Sequence, residues 1–232
     1  MAEKALAFGF PRQSVKVCGL REPRHAQAAV TAGADLLGFV FAPSKRRVDA
    51  VTARACIEAA RGVTGERRFL AVGVFASATA EEMNETAERA GLDLLQVHGN
   101  ADATIGNRLR RPYLVAVHPS PEMSASDVEA VFDAYRRSAA PPLAFLIDGY
   151  RVGQLGGQGV RADWNLAREL ARCRPVVLAG GLNAENVGEA IRTVGPIGVD
   201  VSSGVETEGS KDGAKIGAFV RAAREGFAAS NR

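Results

Sequence analysis

Eight short runs of β-branched and other apolar residues recur along this chain, separated by stretches with helical periodicity. The runs cover residues 15–18, 36–41, 69–75, 92–97, 113–117, 143–148, 175–179 and 197–201. Strand–helix units that average about 29 residues, repeated eight times, have the size expected of a (β/α)8 barrel. We therefore predict an α/β fold, a single-domain (β/α)8 TIM barrel over residues 15–232 that follows an N-terminal extension over residues 1–14.

The stretches between the runs carry ordinary helix boundary signals. Pro23 stands where a first helical turn would begin and Gly33 where that helix would end, and a second stretch rich in Ala and Glu stops at Gly91. A doubly wound open sheet would show the same alternation of strands and helices. That alternative is disfavoured because no Gly-x-Gly-x-x-Gly follows the first strand.

Composition narrows the classes of function. The chain has 232 residues and is 47% hydrophobic, so it can bury a large core. Its net charge of +3 mildly favours the binding of anionic small molecules. No basic block indicates nucleic-acid binding, and no apolar stretch reaches the roughly 20 residues that span a bilayer. Three cysteines without paired spacing argue against disulfides and a metal site. Residues 1–14 lack the apolar core of a signal peptide, so we expect a cytoplasmic protein.

Polar side chains occur where several of the predicted strands end. Alternation along each strand places four pairs on shared faces: Lys16 with Cys18, Gln96 with His98, Leu146 with Asp148, and Asp200 with Ser202. Catalytic groups of TIM barrels lie at the carboxyl ends of the strands. A thiol at position 18 and a carboxylate at position 148 would then face each other across the barrel mouth, which suits proton transfer on both sides of a small substrate.

Glycine-rich segments follow the last three strands. The residues concerned are Gly157 and Gly159 after the sixth strand, Gly180 and Gly181 after the seventh, and Ser202, Ser203 and Gly204 after the eighth. Each segment taken singly is well explained by a tight turn. Three consecutive late loops of this kind favour a phosphate-binding site, because glycine lets backbone N–H groups approach an anion.

Several longer segments resemble the phosphoribosylanthranilate isomerases of tryptophan biosynthesis. They are VKVCGLREP, GFVFAPSKRRV, LDLLQVHGN, GGQGVRADW, LAGGLNAENV and GVDVSSGVETEGSKD, spread from residue 15 to the last predicted helix. The resemblance implies a TIM barrel without a cofactor. It also implies a small-molecule phosphoribosyl substrate: an Amadori rearrangement would convert N-(5-phosphoribosyl)anthranilate to 1-(2-carboxyphenylamino)-1-deoxyribulose 5-phosphate.

The resemblance also implies roles for individual residues. Cys18 corresponds to the family's general base and Asp148 to its general acid, while Arg46 corresponds to the arginine that meets the anthranilate carboxylate. The neighbouring Arg47 is the alternative to Arg46, because the segment is one residue shorter than in some relatives. Apart from the resemblance, His98 and Asp200 are assigned to substrate binding because of their places at strand ends. The alternatives are a rim histidine without a substrate contact for His98, and organisation of the rim or pairing with Lys16 for Asp200.

Other interpretations of the same residues stay open at this point. Cys18 alone would be typical of a buried structural thiol, and a basic run such as 45–47 is ordinarily a solvated face. We expect His25 and His118 at the surface. A related barrel enzyme acting on another phosphoribosyl or indole substrate is disfavoured by the thiol, since histidine-pathway sugar isomerases use aspartate there and indoleglycerol-phosphate synthases use lysine and glutamate. A non-catalytic phosphate-binding module would explain the glycine loops alone.

Overall fold

Eight parallel strands close into a barrel in the computed structural model, which describes residues 11–65, 68–98, 102–149 and 161–230. Each strand pairs with the next along the chain, and the eighth pairs with the first. The strands are β1 (Ser14–Cys18), β2 (Leu36–Val40), β3 (Leu70–Ala76), β4 (Leu94–His98), β5 (Tyr113–Val117), β6 (Ala144–Ile147), β7 (Val176–Leu178) and β8 (Gly198–Val201). The predicted single-domain TIM barrel is confirmed, and the open sheet is wrong.

Helices surround the barrel after seven of the strands in the described ranges. They are α1 (Pro23–Ala32), α2 (Ala50–Thr64), α3 (Ala80–Ala90), α4 (Ala125–Arg136), α5 (Trp164–Ala171), α6 (Val187–Val194) and α7 (Gly213–Ser230). After β4 the described residues hold a short 3-10 helix, Ile105–Arg108, where an α-helix was expected. Gly106 in this helix packs against Ala140 and Tyr113 so closely that a side chain would collide with both.

Local sequence signals account for the helix boundaries. Thr79 and Glu82 form a capping box at the start of α3, and Gly91, with φ +73°, ends that helix in the left-handed conformation. Pro23 lies in the first turn of α1, and Gly33 ends α1 with φ +107°. These signals fix where α1 and α3 begin and end, and therefore how long the loops are that connect them to the neighbouring strands.

The core has two layers, inside the barrel and between the sheet and the helices. The inner layer includes Leu36, Val72, Leu94, Leu114, Leu146 and Val177. In β6, Leu146 belongs to the inner layer while its neighbours Phe145 and Ile147 belong to the outer one. This confirms the strand phase on which the predicted site depends, because Asp148 shares the inward face with Leu146.

The first strand is anchored to the last helix at the amino-terminal end of the barrel. Val15 N–H donates to Asp35 Oδ2 at 2.8 Å, and Arg224 of α7 donates to Asp35 and to the carbonyl of Gln13. Strand β1 begins at Ser14, so the predicted boundary of the extension at residue 14 lies one residue inside the strand. Residues 1–10 of that predicted extension lie outside the described residues. No helix in the described ranges is long and apolar enough to cross a membrane.

Candidate active site at the carboxyl end of the barrel

A pocket opens at the carboxyl ends of the strands. Its lining includes nine of the twelve residues predicted for the site: Cys18, Arg46, His98, Asp148, Gly180, Gly181, Asp200, Ser202 and Ser203. They come from β1, β4 and β8 and from the loops after β2, β6, β7 and β8. The structure therefore brings these distant segments together on the face where TIM barrels place their active sites. Among the described residues, no group of three or more His, Cys, Asp and Glu side chains is arranged to hold a metal ion.

Cys18 is the last residue of β1 and is 7% exposed, with its side chain in the pocket. Its neighbour across the β1–β2 pair is Gly38, whose missing side chain leaves room for the sulfur atom. Burial raises the pKa of the Cys18 thiol, and the positive charge of Lys16 acts in the opposite direction. A buried thiol that borders a pocket and a cation can act as a base, provided that the cation stabilises its thiolate.

Lys16 and Asp200 form an ion pair inside the barrel. The distance from Lys16 Nζ to Asp200 Oδ2 is 2.8 Å, and the two residues are 1% and 8% exposed. Pairing with Lys16 was one of the alternatives that the sequence left open for Asp200, and the structure shows it. The second carboxylate oxygen, Asp200 Oδ1, is buried and has no hydrogen-bond partner among the described residues. Because Asp200 lines the pocket, that oxygen can accept a hydrogen bond from a hydroxyl group of a bound molecule.

Asp148 follows β6 directly, and its side chain is 12% exposed. The backbone N–H of Gly149 donates to Asp148 Oδ1 at 2.7 Å, and Asp148 Oδ2 lies 4.0 Å from His118 Nδ1. The carboxyl group thus borders both the pocket and a histidine, at the sixth strand end where the sequence predicted an acid.

A hydrogen-bonded row of side chains connects β4 with β5 beside Asp148. Gln96 Nε2 lies 2.7 Å from His98 Nε2, and His98 Nδ1 lies 2.9 Å from His118 Nε2. The amide nitrogen of Gln96 can only donate, so His98 accepts at Nε2 and donates from Nδ1 to His118. Burial, followed by the nearby His118 and Lys16, lowers the pKa of His98 to about 3, so its imidazole is neutral near neutral pH.

The predicted surface positions of two histidines are wrong. The side chain of His118 is 12% exposed and belongs to the row just described, while His25 in α1 is 7% exposed. The sequence did hold a signal for His118, because it directly follows β5, at the same end as the other polar residues. His25 lies on the buried face of α1 together with Ala26 and Ala29. Its Nδ1 atom is 3.7 Å from Oε1 of Glu22, the residue before the helix.

The two candidate arginines lie on different surfaces. Arg46 is 4% exposed, lines the pocket and donates to both carboxylate oxygens of Glu206, from Nε at 2.6 Å and from Nη2 at 2.8 Å. Arg47 is exposed and lines a separate groove beside Phe41. Of the two arginines, Arg46 is therefore the one that a molecule in the pocket can meet.

Sequence reasoning missed the two residues that hold Arg46 in place. Glu206 also accepts a hydrogen bond from Lys211 Nζ at 2.8 Å, and Lys211 donates to the carbonyl of Ser202 at 2.8 Å. Burial acts to raise the pKa of Glu206, but hydrogen bonds from Arg46 and Lys211 outweigh it and lower the value to about 2. Both residues stand in the quoted segment GVETEGSKD, where the signal was present but no role was assigned.

The glycine-rich loops after β7 and β8 meet at one side of the pocket. Gly180 and Gly181 have φ values of +83° and +62°, which L-amino acids with side chains rarely adopt. Gly204 lies against the carbonyl group of Leu182, and a side chain there would overlap that oxygen. Gly204 therefore allows the two loops to touch, although it does not itself line the pocket. The third predicted loop, with Gly157 and Gly159, lies outside the described residues.

Comparison with known proteins identifies the family. The family model described as N-(5'phosphoribosyl)anthranilate (PRA) isomerase matches residues 15–222. The chain belongs to the phosphoribosylanthranilate isomerase family. The family member from Roseiflexus castenholzii is 43% identical over 212 residues, which cover 90% of this chain and 97% of that protein.

Solved structures of family members share the fold. The phosphoribosyl anthranilate isomerase of Thermotoga maritima matches with a TM-score of 0.75 and 34% identity, covering 91% of this chain and 98% of that one. A second phosphoribosyl anthranilate isomerase structure holds reduced 1-(o-carboxyphenylamino)-1-deoxyribulose 5-phosphate and matches with a TM-score of 0.72, 33% identity and coverages of 91% and 98%.

Proposed function

We propose that this protein is a phosphoribosylanthranilate isomerase, which converts N-(5-phosphoribosyl)anthranilate to 1-(2-carboxyphenylamino)-1-deoxyribulose 5-phosphate in tryptophan biosynthesis. The observation that carries this proposal is that Cys18 and Asp148 line one pocket from β1 and from the end of β6. A general base and a general acid on different strands allow protons to be moved at two positions of one substrate. We place this reaction in the cytoplasm, where a reducing environment keeps Cys18 a free thiol.

Asp148 opens the sugar ring in this proposal. Its carboxylic acid gives a proton to the ring oxygen of the ribose as the bond from that oxygen to C1 breaks, and the nitrogen lone pair forms the C=N bond of an iminium ion. The hydrogen bond from the Gly149 N–H group to Asp148 Oδ1 holds the carboxyl group in place. Its other oxygen, Oδ2, lies near His118 at the end of β5.

Cys18 completes the rearrangement. Its thiolate removes the proton from C2 of the sugar, the C2–H electron pair becomes the C1=C2 bond, and the electrons of the C=N bond return to nitrogen. The resulting enolamine then becomes the ketone product as C1 gains a proton and the C2 hydroxyl group loses one. A proton-transfer group of this kind typically contributes a factor of about 10²–10⁴ to the rate.

The other pocket residues hold the two ends of the substrate. Arg46, Lys211 and the ionised Glu206 together carry one net positive charge, which favours the anthranilate carboxylate beside Arg46. The phosphate is assigned to the backbone N–H groups of Gly180, Gly181, Ser202 and Ser203, where Gly204 lets the two loops meet. Gly157 and Gly159 are expected to contribute from outside the described residues. His98 and the unpartnered oxygen of Asp200 are assigned to the hydroxyl groups of the sugar.

The proposal is tested by turnover of freshly prepared phosphoribosylanthranilate, followed as the decay of its anthranilate-type fluorescence. Cys18→Ser and Asp148→Asn should each lower kcat by at least about 10²-fold, since neither a serine hydroxyl nor an amide can replace the group removed. Cys173→Ser is the matched control for the thiol, because Cys173 is exposed and lies outside the pocket. Absence of turnover by the wild-type chain would contradict the proposed function, and normal turnover by either site variant would contradict that residue's role.

A further inference from the structure

Lys16 is a buried cation for which the mechanism above has no use. Its side chain points into the barrel, where its register partners on the neighbouring strands are Leu36 and Asp200, and it is 1% exposed. A buried ammonium group is costly unless it is paired, and exchanging a buried ion pair for apolar side chains is often neutral or stabilising. Packing of the barrel therefore gives no reason for an ion pair at this level of the interior.

The ammonium group of Lys16 interacts with more than its carboxylate partner. Of its three N–H groups, one donates to Asp200 Oδ2 at 2.8 Å. Cys18 stands two residues further along β1 on the same face of the strand, so its thiol is the next polar group on that face and feels the charge of Lys16. Lys16 thus has a fixed anion beside it on β8 and the thiol above it on its own strand, at the barrel mouth.

The surroundings of Cys18 make the nearby charge of Lys16 important. Burial of the thiol works against its ionisation, and on the Gly38 side the sulfur atom faces a strand backbone at close range. Four charged groups act near it: Lys16 on its own strand, Asp200 and Lys211 from the β8 side, and Arg46 from the loop after β2.

Each of the three nearby cations is paired with a carboxylate: Lys16 with Asp200, and Lys211 and Arg46 with Glu206. Lys211 Nζ donates to Glu206 Oε1 and to the carbonyl of Ser202, each at 2.8 Å, and Arg46 binds both oxygens of the same Glu206. Among these cations, Lys16 is the one whose charge lowers the pKa of the Cys18 thiol most.

We propose that Lys16 is a positioning residue for the base: its ammonium group, anchored by Asp200 inside the barrel, stabilises the Cys18 thiolate. This inference rests on the proposed function, in which that thiolate takes the C2 proton. When the proton moves to Sγ, the sulfur becomes a neutral thiol and Lys16 keeps all three of its protons. Lys16 therefore favours the state of the enzyme that is ready to react without transferring a proton itself.

The test is a pH titration of Cys18 without substrate. Alkylation of Cys18 by iodoacetamide is measured from pH 6 to 10 by mass spectrometry of the Cys18 peptide, in a Cys173→Ser background that removes the exposed thiol. Lys16→Met should move the midpoint of the alkylation rate upward by at least about one pH unit, which leaves about tenfold less thiolate at a given pH below the midpoint. Lys16→Arg retains the charge and should stay closer to the wild-type midpoint.

A second variant guards against loss of folding. Lys16→Met alone leaves Asp200 buried without its partner, so the double variant Lys16→Met/Asp200→Asn removes both charges and should fold. Its midpoint should still lie above that of the wild type, since the thiolate has lost its main cation. A wild-type or lower midpoint in the double variant, or in a folded Lys16→Met, overturns the proposal.

Activity measurements separate this inference from the proposed function. In Lys16→Met, kcat at pH 7 should fall by about tenfold or more and recover in part as the pH rises, with little change in KM. If Cys18→Ser keeps normal turnover, the proposed role of the base fails, whereas the titration still decides whether Lys16 stabilises the thiolate. A shifted midpoint with unchanged kcat would overturn the link from Lys16 to the reaction.

Discussion

Gly38 and Cys18 are direct partners across the β1–β2 pair, and a Cβ atom built on Gly38 would lie 2.7 Å from Cys18 Sγ. Real Cβ atoms do not approach other atoms so closely, so the thiol occupies space that only glycine leaves open. The same Cβ atom would lie 3.0 Å from the Cys18 backbone, which cannot swing away as a flexible side chain can. Gly38 thus helps to set the position of the sulfur atom at the barrel mouth.

Gly38→Ala should therefore lower kcat by at least about tenfold, because a displacement of Sγ of well under 1 Å already disturbs proton transfer, and destabilise the fold by about 1–3 kcal/mol. Steady-state kinetics and denaturant unfolding measure the two effects. The control is Gly62→Ala in α2, where nothing lies within 4 Å of the added carbon. That change should stabilise the helix by about 1 kcal/mol and leave turnover unchanged. Full activity of a folded Gly38→Ala would show that the sulfur is not confined from this side.

The two arginines of the loop after β2 should differ sharply in their effect on substrate binding. Arg46→Ala removes charge-assisted hydrogen bonds worth about 1.5–3 kcal/mol, so KM should rise by roughly 10–150-fold. Arg46→Lys should restore part of this, since a point charge does not reproduce the planar guanidinium. Arg47→Ala is the matched control and should change KM and stability little, as that side chain is exposed. A damaging Arg47→Ala with a harmless Arg46→Ala would assign the carboxylate to the other groove.

Stability should depend on His98 between pH 6.5 and 3. The pKa of His98 is lowered to about 3 in the folded protein, whereas an unfolded chain binds the proton near pH 6.5. Between these values the unfolded state holds more protons, so the contribution of His98 is fully present above pH 6.5 and is lost as the pH falls. At pH 5 the titration of His98 should have lowered the free energy of unfolding by about 2 kcal/mol.

His98→Gln keeps a neutral polar side chain and removes this titration. Urea unfolding at pH 7 and pH 5 should show a smaller fall in the free energy of unfolding for the variant than for the wild type. The comparison uses the difference between the two pH values, so any constant loss from the hydrogen bonds with Gln96 and His118 cancels. An equal fall in both proteins would mean that His98 takes up a proton in the folded state near pH 6.

The contact between the loops after β7 and β8 should control phosphate affinity. Gly204→Ala places a methyl group against the carbonyl oxygen of Leu182 and forces the loops apart, so KM and the inhibition constant of inorganic phosphate should both rise by about tenfold or more. Gly217→Ala in α7 is the control, because nothing lies within 4 Å of its added carbon. Unchanged inhibition by phosphate in Gly204→Ala would remove these loops from the phosphate site.

Local sequence patterns were sufficient to predict the architecture and the end of the barrel at which the polar groups lie. Eight apolar runs with helix boundary signals such as Pro23 and Gly91 fixed the strand–helix alternation, because backbone preferences and capping act over a few residues. Strand alternation placed Lys16 below Cys18 and Leu146 below Asp148, because successive side chains of a strand point to opposite faces.

Contacts between segments that are distant in the chain could be seen only in the folded barrel. The bidentate contact of Arg46 with Glu206 spans 160 residues, and it separates Arg46 from Arg47 although both stand in one basic run. The burial of His118 depends on its contact with His98 from the neighbouring strand. Such contacts depend on how the closed sheet packs, and no pattern within a few residues records them. Strand alternation likewise predicted that Lys16 faces inward. Only closure of the barrel brought its ammonium group to Asp200 of β8, where its charge acts on Cys18.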